Sequence, residues 1–103
     1  MDKYQVVITQ RAFSDISECV LFVNVVSNEA AKKLYEEIMA AIRSLETFPE
    51  KYPTIEGLTI GGIKVRRMPI HNGRYLIVYK FEKEVVTIYD ILDSRKDNLI
   101  LKL

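Results

Sequence analysis

Hydrophobic residues follow two different periods along the chain, and these periods predict where strands and helices lie. The β-branched and aromatic run at residues 4–8 predicts a short strand. Thr9 follows it and can act as the N-cap of a helix. Ser27 and Asn28 end this helix. Its apolar positions recur at three- and four-residue intervals, which is typical of one helix face, and they are Ala12, Ile16, Cys19, Val20 and Val23.

A second helix is predicted directly after the first. Ser27 can cap it, and Glu29 lies in its first turn, where the helix dipole favours a negative charge. Phe48 and Pro49 end it, because proline cannot continue a helix. Since few residues join the two helices, we expect an antiparallel hairpin. The apolar stripe of the second helix consists of Ala31, Leu34, Ile38, Ala41, Ile42 and Leu45.

Three further strands are predicted in the second half of the chain: Ile63–Ile70, residues 74–81 and residues 84–92. Short turns join them, so we expect antiparallel neighbours. Residues 49–62 contain prolines and glycines and are predicted to be a connector. Pro69 is expected near a strand end or on a sheet edge. The order β-α-α-β-β-β predicts an α+β fold, with a helix hairpin on a small antiparallel sheet that the first strand joins at its edge or centrally.

Composition is that of a globular protein forming a single domain, 1–103. Hydrophobic residues make up 49% and charged residues 28%, which argues against disorder. No apolar run approaches the ~18 residues of a membrane span, and the first residues lack a signal-peptide pattern, so we expect no membrane partner and a cytoplasmic location. Cys19 and His71 are the only residues of their types. We therefore expect no metal site and no cofactor.

The net charge of +1 hides an asymmetry between the two halves of the chain. Residues 1–57 carry six basic and nine acidic side chains, whereas residues 58–103 carry nine basic and five acidic ones. Between positions 58 and 81 there are five basic residues and no acidic one. Such a field suggests an anionic partner, either nucleic acid or an acidic protein surface. The alternative is a solvated sheet face without a partner.

Standard catalytic motifs are absent from the sequence, including a phosphate-binding glycine loop, GxSxG, HExxH and CxxC. What remains is a basic and aromatic sheet that can hold phosphates with arginine and stack a base on tyrosine. If the chain cleaves RNA, the catalytic candidates are Lys64, Arg66, Arg74 and Arg95, but the sequence offers no clear base, so enzymatic activity stays open. The residues predicted to bind a partner on this surface are Lys64, Arg66, Arg67, Arg74, Tyr75, Arg95 and Lys96.

Several segments resemble the RelE/ParE toxins of bacterial type II toxin–antitoxin pairs, also known as plasmid stabilisation proteins. The opening YQVVITQRAFSDI is similar to a ParE-type strand and capped helix, and SNEAA is similar to the start of the second helix. Residues 42–49 resemble the end of that helix. Residues 63–79 match a basic strand, a turn and a strand ending in Tyr, and YDILDSRKD falls at the last strand. The resemblance covers nearly the whole chain.

Membership would imply a toxin that is neutralised by a cognate antitoxin and that contacts operator DNA only through the antitoxin complex. ParE-like members inhibit DNA gyrase, whereas RelE-like members cut mRNA in the ribosome. The RelE type depends on several basic residues and, in many members, on a Tyr or His near the C-terminus. In this chain Lys64, Arg66 and Arg95 fit the basic positions. Here Leu76 stands where an arginine is usual, and no Tyr or His follows Arg95.

The resemblance therefore favours a ParE-like gyrase inhibitor, although Asp93 stands where ParE-type chains often have His. Two alternatives stay open. One is a RelE-like ribosome-dependent endoribonuclease, and the other is a weakly toxic or inactive member that acts mainly as an antitoxin-binding corepressor. The apolar tail Leu99–Leu103 can pack on the chain's own core or serve a partner; the sequence does not decide which, and the conformation of residues 97–103 stays open.

Overall fold

The computed structural model describes residues 3–95, which form two helices and five strands. The chain runs through β1 (Gln5–Ile8), α1 (Gln10–Val26), α2 (Asn28–Ser44), a single 3-10 turn (Pro49–Lys51), β2 (Thr54–Ile60), β3 (Ile63–Ile70), β4 (Tyr75–Glu82) and β5 (Val85–Asp93). The strands form one sheet in the order β1-β5-β4-β3-β2. The predicted α+β fold, with a helix hairpin packed on a sheet, is confirmed. Lys96 and the tail at residues 97–103 lie outside the described residues.

The two helices are capped as the sequence predicts. The Thr9 hydroxyl accepts a hydrogen bond from the backbone N–H of Ala12 at 3.1 Å, and Ser27 accepts one from Ala30 at 3.1 Å. The backbone N–H of Ser27 also donates to the carbonyl of Val23, so this one residue ends α1 and begins α2. A junction of one residue forces the chain to reverse sharply and produces the hairpin.

The predicted connector at residues 49–62 contains a strand that the sequence analysis missed. Ile55, Leu58 and Ile60 of β2 pack on the sheet face opposite the helices, against a small cluster formed by Val65, Val78 and Leu92. The pairing of β2 with β3 is irregular between Thr54 and Thr59, and Gly57 within it has a φ of +78°. This irregularity breaks the alternation that normally reveals a strand. The sheet has five strands as a result.

The sheet is mixed, because β1 pairs in parallel with β5 while the other neighbours are antiparallel. The sequence left open whether the first strand joins the sheet at its edge or centrally, and in the structure β1 is an edge strand. Pro69 is the next-to-last residue of the internal strand β3, close to its end as predicted. The main core lies between the helices and the sheet. Its fully buried members include Ala12, Ile38, Leu45, Ile77, Tyr79, Val86 and Ile88.

Asp90 is a buried carboxyl group at the contact between β5 and α1. A bulge helps to place it, since Val78 pairs with Asp90 but Tyr79 pairs with Ile88. Its side chain is 1% exposed, and its Oδ2 atom lies 3.2 Å from Nη2 of Arg11. Burial, followed by a hydrogen bond and the negative charge of Asp15, raises the pKa of Asp90 to about 7, while Arg11 opposes the shift. A proton is therefore part of the contact between the helix and the sheet.

The free energy of unfolding is expected to fall as the pH rises from about 4 to about 7. Asp90 binds its proton more tightly in the folded protein, with a pKa of about 7, than in the unfolded chain, at its ordinary value of 3.8. This stabilisation is complete below pH 4 and is lost as the pH passes through the folded value. Asp90→Asn cannot ionise and should reduce the difference in stability between pH 5.5 and pH 8 by roughly 1 to 2 kcal/mol.

Urea denaturation at the two pH values measures this effect. Glu56→Gln changes an exposed carboxylate on β2 and serves as the control, with a pH dependence like that of the wild type. An unchanged slope in Asp90→Asn would contradict the assignment of the proton to this contact.

Candidate binding surface

The predicted binding residues lie at two ends of the sheet and do not form one cluster. Arg66 pairs with Tyr79, whereas Ile70, four residues further along β3, pairs with Tyr75. At about 3.3 Å per residue, the two ends are roughly 13 Å apart along the strand. Lys64, Arg66 and Arg67 belong to the first end, and Arg74, Tyr75 and Arg95 to the second.

Arg66 holds the segment that follows the helix hairpin. Its Nη1 atom donates hydrogen bonds to the carbonyl oxygens of Tyr52 at 2.6 Å and Glu50 at 3.1 Å. Its guanidinium carbon lies 5.2 Å from the ring centroid of Phe81. These contacts occupy part of its donor set, so Arg66 stabilises the fold in addition to any role in binding.

Tyr79 holds the same segment from the neighbouring strand. Its hydroxyl donates a buried hydrogen bond of 2.6 Å to the carbonyl of Pro49, and burial raises its pKa to about 12. Tyr79 therefore keeps its proton at neutral pH and acts as a fixed donor. Its ring is fully buried in the main core.

Lys64 and Arg67 are the more accessible basic residues at this end. Lys64 is exposed and Arg67 is half-buried. Strand alternation places Lys64 on the same face as Arg66, while Arg67 shares the opposite face with Val65. Neither forms an ion pair with another residue between positions 3 and 95. Both can therefore bind an anionic partner without breaking an ion pair with another residue between positions 3 and 95.

At the second end, Arg74 lies against Tyr75, with the guanidinium carbon 5.5 Å from the ring centroid. Its Nε atom is buried and has no hydrogen-bond acceptor within the described part of the chain. Arg95 is exposed, and its Nε atom is 3.7 Å from Oδ1 of Asp93. These two arginines are the basic groups of this end.

Tyr75 itself is only 3% exposed, and burial raises its pKa. Its ring belongs to the main core, where it packs beside His71 at a centroid distance of 5.9 Å. The prediction of Tyr75 as a residue that contacts a partner needs correction for this reason. A ring that is covered on both faces cannot stack on a base.

A pairing between Glu37 and His71 adds a group that the sequence analysis did not identify. The Glu37 carboxylate accepts the backbone N–H of His71 at 3.0 Å and contacts the ring Nδ1 at 2.8 Å. His71 and Asn72 have φ angles of 55° and 56°, a left-handed conformation that is unfavourable for non-glycine residues. Glu37 therefore fixes both a strained turn and the orientation of the imidazole.

This turn is bound to the end of β5. The Ser94 hydroxyl donates to the carbonyl oxygen of Gly73 at 2.8 Å, and the Ser94 backbone N–H donates to that of Arg74 at 2.8 Å. His71, Arg74 and Arg95 are thus brought to the same end of the sheet. The polar turn was visible in the sequence, but the pairing spans 34 positions and carries no local signal.

Other classes of site find no support among the described residues. Between positions 3 and 95, no group of three or more His, Cys, Asp or Glu side chains could hold a metal ion. None of the described helices is long and apolar enough to span a membrane.

Substitution of Arg66 is expected to destabilise the protein. Arg66→Ala leaves the carbonyl oxygens of Glu50 and Tyr52 without their donor and removes the contact with Phe81. We expect the free energy of unfolding to fall by about 1 to 3 kcal/mol, as measured by chemical denaturation. Lys64→Ala, two residues earlier on the same strand face, should stay within about 0.5 kcal/mol of the wild type. Equal stability of the two variants would show that the Arg66 contacts do not stabilise the fold.

Comparison with known proteins gives the chain a family. No curated protein matches its sequence. Among the solved structures that share its fold are two of low identity to this chain. The first, the chromosomal ParDE toxin–antitoxin system from P. aeruginosa, has a TM-score of 0.69 and 15% identity over 88% of this chain and 96% of the other.

The second is the archaeal RelE–RelB complex from Pyrococcus horikoshii OT3, with a TM-score of 0.59 and 17% identity over 92% of this chain and 99% of the other. At such identities the likeness concerns the fold alone. The family model of the ParE toxin of the type II toxin–antitoxin system parDE matches residues 6–98. The chain therefore belongs to the ParE toxin family.

Proposed function

We propose that this protein is the toxin of a type II toxin–antitoxin pair, that it inhibits DNA gyrase by binding, and that a cognate antitoxin neutralises it. Family membership supports the role of toxin. One observation carries the choice of binding over catalysis: the basic residues are divided between two ends of the sheet. Cleavage of a phosphodiester requires charged groups that converge on a single phosphorus. The two groups of basic residues are separated by roughly 13 Å along β3, which fits contact with an extended protein surface better than cleavage of one phosphodiester.

The hydrogen bonds that Arg66 forms within its own chain also favour binding over catalysis. Two of its hydrogen bonds go to backbone carbonyls of its own chain. An arginine that stabilises a developing charge in a transition state needs donors that are free to point at that charge. Lys64 and Arg67 remain available, and they serve an extended acidic surface as well as they would serve RNA.

For the antitoxin, we propose binding along the outer edge of β2. In the sheet formed by residues 3–95, β2 is one of the two outer strands, and an extended peptide can add to its outer edge as a further strand. Lys64 pairs with Thr59 of β2 and so lies one strand away from the added peptide. An acidic, partly disordered segment that orders on binding fits an exposed edge with a basic side chain beside it.

The gyrase proposal is tested with purified gyrase and relaxed plasmid. The wild-type protein is expected to inhibit supercoiling or to trap the cleaved complex, and addition of the cognate antitoxin should restore activity. A small protein with a net charge near the +1 of this chain serves as the control for nonspecific DNA binding. Absence of both inhibition and trapped cleavage at saturating toxin would refute the gyrase target.

The antitoxin surface is tested by charge reversal at Lys64. Arg66→Glu is a poor probe, because its structural contacts would be lost together with its charge. Lys64→Glu should weaken antitoxin binding by about tenfold, and the difference from wild type should shrink at high salt. Lys32→Glu reverses an exposed charge on α2 and is the matched control, with affinity near that of the wild type. Calorimetric titration measures all three proteins, and equal affinities would exclude Lys64 from the interface.

A ribosome-dependent mRNA endonuclease is a second candidate, and the pairing of Glu37 with His71 favours it. A carboxylate that binds Nδ1 orients an imidazole as a general base, and Arg74 and Arg95 lie at the same end. This candidate predicts new transcript ends after induction, lost in His71→Ala and kept in Asn72→Ala. Intact translating messages after induction of the wild type would remove it.

A further inference from the structure

The turn between β3 and β4 contains the dipeptide Asn72-Gly73. It is the one place in the sequence where glycine follows asparagine, since Asn24, Asn28 and Asn98 precede valine, glutamate and leucine. Glycine has no side chain, so its backbone nitrogen is less hindered than that of any other residue. The nearest group that this nitrogen can attack is the side-chain amide of Asn72. The dipeptide therefore has the chemistry needed for a reaction of the main chain with its own side chain.

The reaction is deamidation through a cyclic imide. The backbone nitrogen of Gly73 bonds to the side-chain carbonyl carbon of Asn72, and the side-chain nitrogen leaves as ammonia, which carries away the proton of the backbone N–H. Water then opens the imide at either of its two carbonyl carbons. One opening leaves an ordinary aspartate at position 72, and the other leaves an isoaspartate, whose main chain runs through the side-chain carboxyl group.

The dipeptide is accessible to water. Asn72 and Gly73 are both exposed, and a methyl group placed on Gly73 would meet no atom within 4 Å apart from those of its chain neighbours. No hydrogen bond joins the side chain of Asn72 to another residue in the part of the chain that the structure describes. The amide can therefore rotate toward the main chain, and water can reach the imide once it forms.

The closed turn holds the attacking nitrogen in a hydrogen bond. The backbone N–H of Gly73 donates to the carbonyl oxygen of Ile70 at 3.1 Å, and the N–H of Arg74 donates to that of His71 at 3.1 Å. His71, Asn72 and Gly73 are all left-handed, with φ angles of 55°, 56° and 80°. The nitrogen must leave Ile70 and turn toward the side-chain amide before it can react. The dipeptide is therefore protected while the turn is closed.

Two contacts from distant parts of the chain keep the turn closed. Glu37 of α2 accepts the backbone N–H of His71 at 3.0 Å and contacts its ring at 2.8 Å. Ser94, which follows β5, donates its hydroxyl to the carbonyl oxygen of Gly73 at 2.8 Å. Because the left-handed conformation is unfavourable for His71 and Asn72, loss of these contacts favours an open turn. The open fraction in turn sets the rate of a reaction that only the open form undergoes.

We propose that Asn72-Gly73 is a site of spontaneous deamidation, and that the contact between Glu37 and His71 sets its rate by controlling how often the turn opens. The proposal is independent of the toxin's target and of its antitoxin. It joins a modification site in one turn to a carboxylate on a helix that is 34 positions away in the chain.

The product changes the charge of the second end of the sheet. A carboxylate appears beside Arg74 and at the same end as Arg95, where the basic groups of this surface lie. The isoaspartate product also adds a methylene group to the main chain, which displaces Gly73 from its hydrogen bond with Ile70. Deamidation therefore alters both the electrostatic field and the backbone of this end.

The test follows each asparagine of the purified chain during incubation at mildly alkaline pH in water enriched in heavy oxygen. Peptide mapping by mass spectrometry measures the gain of heavy oxygen at each site. In the folded wild type, Asn72 is expected to convert slowly and faster than Asn24 and Asn28, which lie in helices. In urea, where the turn is open, Asn72 should convert at least about tenfold faster than in the folded protein.

Variants of the two contacts test the control of the rate. Glu37→Ala should raise the rate at Asn72 in the folded protein by about tenfold, as expected for loss of hydrogen bonds to a charged group. Ser94→Ala opens the turn from its other side and should raise the rate by a smaller factor. Circular dichroism checks that each variant is folded.

Two control variants separate opening of the turn from unfolding of the protein. Glu36→Ala removes a neighbouring exposed carboxylate of α2 and should leave the rate at Asn72 unchanged. Arg66→Ala destabilises the fold at the first end of the sheet and leaves the contacts of the turn intact. Its rate at Asn72 should stay near that of the wild type.

Three results would overturn the inference. Equal rates at Asn72 in the folded and unfolded wild type would show that the turn gives no protection. Equal acceleration in Glu37→Ala and Arg66→Ala would mean that the reaction follows unfolding of the whole protein. Conversion of Asn72 in urea no faster than that of Asn24 and Asn28 would remove the dipeptide as a preferred site.

Discussion

The close contact between α1 and β5 is the constraint on which the rest of the structure depends. Only Thr9 separates β1 from α1, and its backbone N–H donates to the carbonyl of Ile88 at 3.1 Å. Ala12, the first residue of the helix that faces the core, is completely buried. A small side chain there lets the helix approach the sheet closely, and Asp90 meets Arg11 beside it. Because α2 follows α1 after one residue, the position of the first helix also fixes that of the second.

Local periodicity was sufficient to predict most of the fold. Both helices, their caps and four of the five strands follow from apolar spacing and from Thr9, Ser27 and Pro49. The strand at Thr54–Ile60 escaped prediction because glycines within and beside it resemble a turn-rich connector. Its apolar residues can be recognised as part of a strand only from their contacts with Val65 and Val78 on other strands. Long-range packing of this kind has no periodic signature in a single sequence.

The candidate site was predicted less well, since a residue type does not reveal its partner. Arg66 and Lys64 belong to the same strand face and the same basic run, yet Arg66 binds backbone carbonyls and Lys64 is exposed. Tyr75 was expected at a surface and lies in the core. The pairing of Glu37 with His71 joins a helix to a distant turn. The contacts of Arg66 and of Glu37 involve residues more than ten positions away in the chain.

The parallel pairing of β1 with β5 has a consequence for the synthesis of the protein. The contact between Thr9 and Tyr89 joins residues 80 positions apart, so β1 has no partner strand until β5 has been made. At translation rates of about 5 to 20 residues per second, it waits roughly 4 to 16 s. Pairings of such long range are also slow to form, because the loop must close before any contact is gained. The complete sheet therefore forms only after β5 has been synthesised, and a shorter nascent chain cannot yet present the finished surface.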